Sequence, residues 1–168
     1  MASMPFVRVT RRYRFSAAHR LDTPLLAPER NREVYGKCNN PYGHGHDYTV
    51  ELSLAGEVEP GAGRLVPLAV LDRFAEEVLL KPFDRRNLNL EVPEFAALVP
   101  TTENLAEVLA RRVAAAWPRW FGAGAARFEK VRIWETRRNI FEVCADDIEG
   151  GDSRSGKRIS NEVIQSRG

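Results

Sequence analysis

Alternation of hydrophobic and polar residues marks four segments of the chain as strands. Residues 6–15 and 47–54 alternate in this way, and a period of two is typical of a strand with one buried face. Two further β-like runs, residues 128–135 and 139–144, are separated by a three-residue connection. A connection this short predicts that the last two strands form a hairpin.

A helical period replaces this alternation in the middle of the chain. Residues 68–80 carry apolar side chains at helical spacing, and Pro67 is suited to the first helical position. A second apolar stripe covers residues 105–116; Thr102 can cap this helix through its hydroxyl, and the helix is expected to end before Pro118. The order β-β-α-α-β-β predicts an α+β fold with an antiparallel sheet.

Length and composition indicate a single globular domain. The chain has 168 residues, of which 43% are hydrophobic and 29% charged, as in soluble proteins. We expect one folded domain over residues 1–148 and a disordered tail over residues 149–168, which are poor in large apolar side chains. No apolar run approaches the ~20 residues that span a bilayer, and the amino terminus lacks the apolar stretch of a secretory signal. The two cysteines do not suggest a disulfide framework, so we expect the protein to reside in the reducing cytoplasm. Because no apolar run is long enough to span a bilayer, we expect no membrane partner.

The distribution of charge argues against a nucleic-acid partner. The net charge of +2 comes entirely from residues 151–168, and the first 150 residues hold 21 basic and 21 acidic side chains. This balance excludes the broad basic field typical of nucleic-acid binders. An anionic small molecule needs only a few local cations, so it remains a candidate ligand.

The three histidines of the chain are the first candidates for chemistry. His44 and His46 lie two residues apart at the start of a predicted strand, which places both imidazoles on one face. Neutral imidazole is a good ligand for Zn²⁺, and three protein ligands with an open fourth position form the catalytic kind of zinc site. His19 is the only other histidine. The alternative is that all three are ordinary structural or surface residues.

Five segments, in this order and with these gaps, closely resemble the 6-pyruvoyltetrahydropterin synthase family over residues 6–145. They are Phe15-Ser16-Ala17-Ala18-His19-Arg20-Leu21, the Cys38–His46 segment, Lys81-Pro82-Phe83-Asp84-Arg85-Arg86-Asn87-Leu88-Asn89, Thr101-Thr102-Glu103-Asn104 and Trp134-Glu135-Thr136. The resemblance implies the tunnelling fold, or T-fold: a four-stranded antiparallel sheet with two helices packed on one face. It also implies a homo-oligomer, either a trimer or a hexamer made of two trimers.

The resemblance assigns a metal and a proton acceptor. His19, His44 and His46 match the family's zinc ligands, so the implied cofactor is Zn²⁺, which holds the side chain of the pterin substrate 7,8-dihydroneopterin triphosphate. Cys38 matches the family's catalytic cysteine, which acts as general base. This role is chemically sound, because a thiolate is favoured beside a positive metal ion. The alternative for Cys38 is a small buried hydrophobic residue.

Further positions match the pterin pocket. Glu135 matches the glutamate that anchors the pterin through two hydrogen bonds. Thr101, Thr102 and Glu103 match residues that line the same pocket, although a helix cap and a first-turn carboxylate are equally good interpretations of Thr102 and Glu103. The triphosphate would need cations, for which Arg14, Arg20 and Lys37 are plausible.

One position departs from the family pattern. The family typically has Asp-His where this chain has Asp84-Arg85, and the aspartate–histidine pair supplies a second acid/base group. Arginine cannot exchange protons near pH 7, so Asp84 is left as a residual member of the relay. The alternative is a tolerated substitution at a helper position.

Three functions follow from these observations. The five residues between Cys38 and His44 favour the pyruvoyl-forming branch, which gives a zinc-dependent lyase that eliminates triphosphate and yields 6-pyruvoyltetrahydropterin. The second is a 6-carboxytetrahydropterin synthase-type enzyme, in which Arg85 redirects the outcome. The third is a catalytically impaired protein that binds zinc and pterin without turnover.

Overall fold

A computed structural model of the chain describes residues 5–122, 124 and 126–149. All of the predicted tail except Glu149 lies outside these residues. The described part contains a five-stranded sheet in the order β3-β1-β2-β4-β5. The strands are β1 (Phe6–His19), β2 (His44–Glu57), β3 (Arg86–Asn87), β4 (Ala126–Trp134) and β5 (Ile140–Cys144).

The four predicted strands are confirmed, and they pair in antiparallel fashion as β1-β2, β2-β4 and β4-β5. The expectation of four strands alone is wrong, because β3 adds a fifth that runs parallel to β1 at Ala17 and Ala18. A strand of two residues is too short to show a period in the sequence, so no pattern could predict it.

Helical segments connect the strands. They are α1 (Pro28–Tyr35), a 3₁₀ turn (Gly36–Asn39), α2 (Leu68–Ala75) continued by a π-helical turn (Glu76–Leu80), α3 (Leu88–Glu91), a 3₁₀ turn (Pro93–Ala96), α4 (Thr102–Phe121) and α5 (Ala145–Glu149). None of the described helices is both long and apolar enough to cross a membrane.

Helix α4 differs from its prediction at both ends. Its cap is Thr101, whose hydroxyl accepts a hydrogen bond from the Asn104 amide at 3.3 Å, and Thr102 is the first helical residue. The helix also continues through Pro118 to Phe121. Proline in a helix interior costs roughly 3 kcal/mol. That loss is offset by packing, because Trp117 and Phe121 contact Phe74 of α2 with ring centroids 5.4 and 5.3 Å apart.

Helices α2 and α4 cover one face of the sheet, which we call the inner face. Side chains from both helices and from β1, β2 and β4 form one core there. Members of this core with no exposed surface include Leu52, Phe74, Leu105, Leu109 and Ile133. Alternate residues of β1, such as Arg8 and Arg12, lie on the opposite outer face. On the inner face, side chains of β1, β2 and β4 can therefore come together while the helices shield them from solvent.

One edge of the sheet is largely open. Strand β1 pairs with β2 along its whole length, but on its other side it pairs with β3 only at Ala17 and Ala18. Residues 6–15 therefore have no strand partner on that side within the described part of the chain. An open edge of this length is suited to pairing with another strand.

Candidate active site

The three histidines converge on one point at the end of the inner face. Strands β1 and β2 pair His19 directly with His44, and His46 lies two residues further along the same face. The Nε2 atom of His44 lies 3.2 Å from Nε2 of His19 and 2.8 Å from Nε2 of His46. The pairing register of the sheet therefore builds this cluster from residues 25 positions apart in sequence.

The surroundings of the imidazoles favour lone pairs over protons. The Nδ1 atom of His19 lies 2.8 Å from the Pro100 carbonyl, which can only accept, so Nδ1 carries the hydrogen and Nε2 keeps its lone pair. Burial lowers the pKa of both His19 and His46. The Nδ1 atom of His44 is buried and has no partner among the described residues.

These groups fit a metal ion. The three ligand atoms lie within 4.8 Å of one another. Nitrogen atoms this close repel unless protons or a cation lie between them, and burial disfavours the protons. A backbone carbonyl on the far nitrogen of a ligating histidine is the usual way to orient such a ring. The cluster can therefore hold a metal ion through three protein ligands, the number found in catalytic zinc sites.

Cys38 lies on the 3₁₀ turn that precedes β2. Its carbonyl accepts a hydrogen bond from the Leu21 amide at 2.8 Å, which holds the turn against the end of β1. The thiol is half-buried and makes no hydrogen bond within the described residues. Burial raises the pKa of Cys38, and the negative charge of Glu135 raises it further. The thiolate form therefore needs a positive charge nearby.

Glu135 follows β4 directly and lies beside the histidines. Its Oε1 atom accepts a hydrogen bond from the Thr102 hydroxyl at 2.8 Å and lies 3.6 Å from Nε2 of His46. Thr102 is 3% exposed, so this hydrogen bond is shielded from water. The interpretation of Thr102 as the helix cap is wrong, because its hydroxyl contacts Glu135 instead. The role of Thr102 in lining the pterin pocket stays a prediction.

The other two residues predicted to line the pocket, Thr101 and Glu103, make no side-chain hydrogen bond with Glu135 or the histidines in the described structure. The hydroxyl of Thr101 caps the helix. Glu103 is exposed on the first turn and makes no hydrogen bond or ion pair with any described residue. A carboxylate there is favoured by the helix dipole, which gives Glu103 a structural role. Roles in substrate binding remain predictions for both residues.

Asp84 and Arg85 lie just before β3, where both contact Ser16 of β1. Asp84 accepts a hydrogen bond from the Ser16 amide at 2.9 Å, and its Oδ2 atom lies 3.8 Å from Nε of Arg85. No contact joins Asp84 to Cys38 among the described residues. Arg85 has φ of 58°, the only positive value outside glycine in the described chain, and its side chain is 90% exposed.

Two of the three candidate phosphate-binding cations lie together, and the third lies apart from them. Arg20 and Lys37 line one cavity of about 280 Å³, together with Arg32, behind the turn that carries Cys38. Arg14 is exposed on the outer face of β1, since its neighbour Phe15 is buried on the inner one. The structure thus groups Arg20 with Lys37 and separates Arg14 from them.

Sequence reasoning missed two residues of this site. The carbonyl of Pro100 orients His19, and a backbone atom leaves no signal in residue type. Tyr48 lies on the inner face two residues beyond His46, with their ring centroids 5.6 Å apart. The same period of two that grouped the histidines could have included Tyr48.

Together the antiparallel sheet, its two helices and the histidine cluster define a tunnelling-fold protein able to hold a metal ion. The family model described as 6-pyruvoyl tetrahydropterin synthase matches residues 8–146, and the chain belongs to that family. It is 46% identical over 132 residues to a 6-pyruvoyl tetrahydrobiopterin synthase of Poecilia reticulata, covering 79% of this chain and 86% of the relative. The Homo sapiens protein of the same name is 41% identical over 133 residues, covering 79% and 88%.

A solved structure agrees with this assignment. The 6-pyruvoyl tetrahydropterin synthase of Caenorhabditis elegans superposes with a TM-score of 0.77 at 38% sequence identity. The superposition covers 86% of this chain and 99% of that structure. The similarity therefore extends over nearly the whole of the relative.

Proposed function

We propose that this protein is a zinc-dependent lyase that converts 7,8-dihydroneopterin triphosphate into 6-pyruvoyltetrahydropterin and triphosphate. The observation that carries the proposal is the position of Glu135, 3.6 Å from the histidine cluster and on the same face. A carboxylate beside a metal-binding group can hold the N–H edge of a heterocycle while the side chain of that ring reaches the metal. Family membership and the names of the relatives support the same reaction.

The proposed reaction balances without an outside oxidant. The bond between the terminal side-chain carbon and the triphosphate oxygen breaks, and triphosphate leaves with one proton. The two hydroxyl-bearing carbons become carbonyls and lose four hydrogens in all. The ring takes up two of these across its C6–N5 bond, one converts the terminal carbon to a methyl group, and one is the proton that leaves with triphosphate. The enzyme therefore only has to remove and return protons at defined positions.

Each residue of the site has a part in this proposal. Glu135 accepts hydrogen bonds from the amino and ring N–H groups of the pterin, and Thr102 holds Glu135 in place. Cys38 removes protons from the side-chain carbons. When bound by the three histidines, Zn²⁺ would polarise oxygen atoms of the substrate and lower the pKa of acids beside it. Arg20 and Lys37, which line one cavity, would neutralise the triphosphate.

Arg85 favours a second candidate function. Arginine takes the position of a proton carrier, and its exposed guanidinium contacts only Asp84 among the described residues. A missing acid/base group typically lowers a rate by ~10²–10⁴-fold. The second candidate is thus a protein that binds zinc and pterin with little or no turnover.

We also propose that the protein assembles as a trimer or as a hexamer of two trimers in the cytoplasm. The open edge of β1 supports an assembly through strand pairing, since such an edge is a liability in a monomer. The two free cysteines, Cys38 and Cys144, fit a reducing compartment. Measuring the molar mass of the purified protein by light scattering distinguishes the trimer from the hexamer.

Product analysis tests the proposed reaction. Zinc-loaded protein is incubated with 7,8-dihydroneopterin triphosphate, and products are identified by mass spectrometry. We expect triphosphate and a 6-pyruvoyl product, with loss of ~10²–10⁴-fold in rate for Cys38→Ala and full rate for the control Cys144→Ala. A 6-carboxy product with acetaldehyde would instead select the carboxy-forming reaction. Pterin binding without triphosphate release would leave the second candidate.

A further inference from the structure

Tyr48 carries a hydroxyl group that has no partner. The residue is completely buried, and its hydroxyl makes no hydrogen bond with any described residue. Its ring is well packed, since it stacks on Phe15 with centroids 5.2 Å apart. Packing therefore explains the aromatic ring but not the hydroxyl. Phenylalanine would fill the same space without leaving a buried polar group unsatisfied.

The hydroxyl lies in the row of side chains next to the histidine cluster. The last register pair between β2 and β4 joins Thr49 to Trp134, so the next antiparallel step sets Tyr48 beside Glu135. His46 contacts both residues: its ring centroid is 5.6 Å from that of Tyr48, and its Nε2 atom is 3.6 Å from Glu135. A tyrosine hydroxyl is ordinarily protonated at neutral pH, so that of Tyr48 can donate.

The hydrogen-bonding capacity of Glu135 identifies the acceptor. A carboxylate has about four lone-pair sites. Thr102 occupies one of them, through Oε1, and a ligand that presents two N–H groups would occupy two more. One site is left. The Tyr48 hydroxyl is the buried, unpartnered donor beside it within the described chain.

We infer that Tyr48 is a positioning residue, whose hydroxyl donates a hydrogen bond to Glu135 once a pterin-like ring is bound. This hydrogen bond holds in place the carboxylate that binds the N–H groups of the ring. This inference rests on the proposed function, which supplies the ring. In the free protein the hydroxyl is buried without a partner, whereas in the complex it completes the set of donors around Glu135. Its removal therefore has opposite effects on the free protein and on the complex.

Tyr48→Phe tests this inference in the full-length, zinc-loaded protein, with biopterin as the probe. The melting temperature of the free variant is expected to rise by roughly 2–4 °C, because an unsatisfied buried group is removed. The dissociation constant for biopterin, measured by calorimetry, is expected to rise about tenfold, because a hydrogen bond to a charged group is lost. A merely structural tyrosine would not show this combination.

Tyr13→Phe is the matched control. The Tyr13 hydroxyl donates to Asp72 at 2.9 Å, away from the histidines. Its loss is expected to lower the melting temperature and to leave biopterin binding unchanged.

Two results would overturn the inference about Tyr48 alone: unchanged biopterin affinity in Tyr48→Phe, or a lower melting temperature of the free variant, which would show that the hydroxyl already has a partner. Failure of the wild-type protein to bind biopterin would remove the proposed pterin function and the inference with it.

Discussion

Ser16 and Arg85 are joined through their backbones, with the Arg85 amide donating to the Ser16 carbonyl at 2.6 Å. The Ser16 amide in turn donates to the Asp84 carboxylate at 2.9 Å. These two hydrogen bonds hold the Asp84-Arg85 turn against β1 and keep Arg85 at φ of 58°. Neither hydrogen bond involves the side chain of residue 85, so a different side chain at this position would start from the same place.

Replacing Arg85 by histidine is expected to restore a proton carrier. An imidazole titrates near neutral pH and a guanidinium does not, so Arg85→His is expected to raise turnover, by up to ~10²-fold. The measurement is the rate of triphosphate release. Arg86→His is the control, since Arg86 is paired with Glu91 at 2.8 Å and is expected to gain nothing. Unchanged or lower activity in Arg85→His would mean that the arginine has a role of its own.

Removal of any one histidine is expected to abolish metal binding. Three imidazoles form the cluster, and two ligands bind Zn²⁺ far more weakly than three. Zinc content after dialysis, measured by atomic emission, is expected to fall from about one ion per chain to nearly none in His19→Ala, His44→Ala or His46→Ala. Cys144→Ser is expected to keep its zinc. Retention of a full zinc complement by the histidine variants would place the metal elsewhere.

Thr101 and Thr102 are adjacent but are expected to differ in what their hydroxyls do. Thr101→Ala removes the cap of α4 and is expected to lower the free energy of unfolding by about 1 kcal/mol while pterin affinity is kept, so any contact of Thr101 with substrate would be through its backbone. Thr102→Val removes a donor to Glu135 and is expected to raise KM about tenfold. Thr102→Ser keeps the donor and is the control. Equal effects of the two variants on KM would contradict this division.

The ion pair between Glu94 and Arg112 is expected to make stability depend on acid pH. Arg112 donates to both oxygens of Glu94, at 2.6 and 2.7 Å, and these hydrogen bonds lower the pKa of Glu94. A lowered carboxyl pKa stabilises the fold above the unfolded value of about 4.3, and this stabilisation is lost as pH falls through the folded pKa. Because both groups are partly exposed, we expect only about 0.5–1 kcal/mol.

Thermal unfolding of Glu94→Gln from pH 7 to pH 3 measures this contribution. The variant is expected to melt roughly 2–4 °C lower than the wild type at pH 7, and the difference is expected to shrink as the pH falls below the unfolded carboxyl pKa of about 4.3. Glu107→Gln, which removes an exposed pair with Arg111, is the control at the surface of α4. A difference as large at pH 3 as at pH 7 would show that Glu94 acts through packing and not through charge.

The sequence predicted those parts of the molecule that have a period. Alternation located the four longer strands, and in β2 it also predicted that His44 and His46 share a face. It could not predict where α4 ends, because the packing of Trp117 and Phe121 outweighs the effect of Pro118. It also could not predict the partner of Thr102, since a hydroxyl at a helix start has the same residue type whether it caps the helix or contacts a distant carboxylate.

The contacts that build the site join distant parts of the chain. His19 and Pro100 are separated by 81 positions, and Thr102 and Glu135 by 33. Contacts of such high sequence separation form late in folding, because each must first close a long loop. No fragment that ends before α4 contains a complete site. The three histidines belong to the β1-β2 pair alone, so metal content would report the formation of that pair. Pterin binding, which needs Thr102 and Glu135 as well, would report the fraction of molecules that have finished folding.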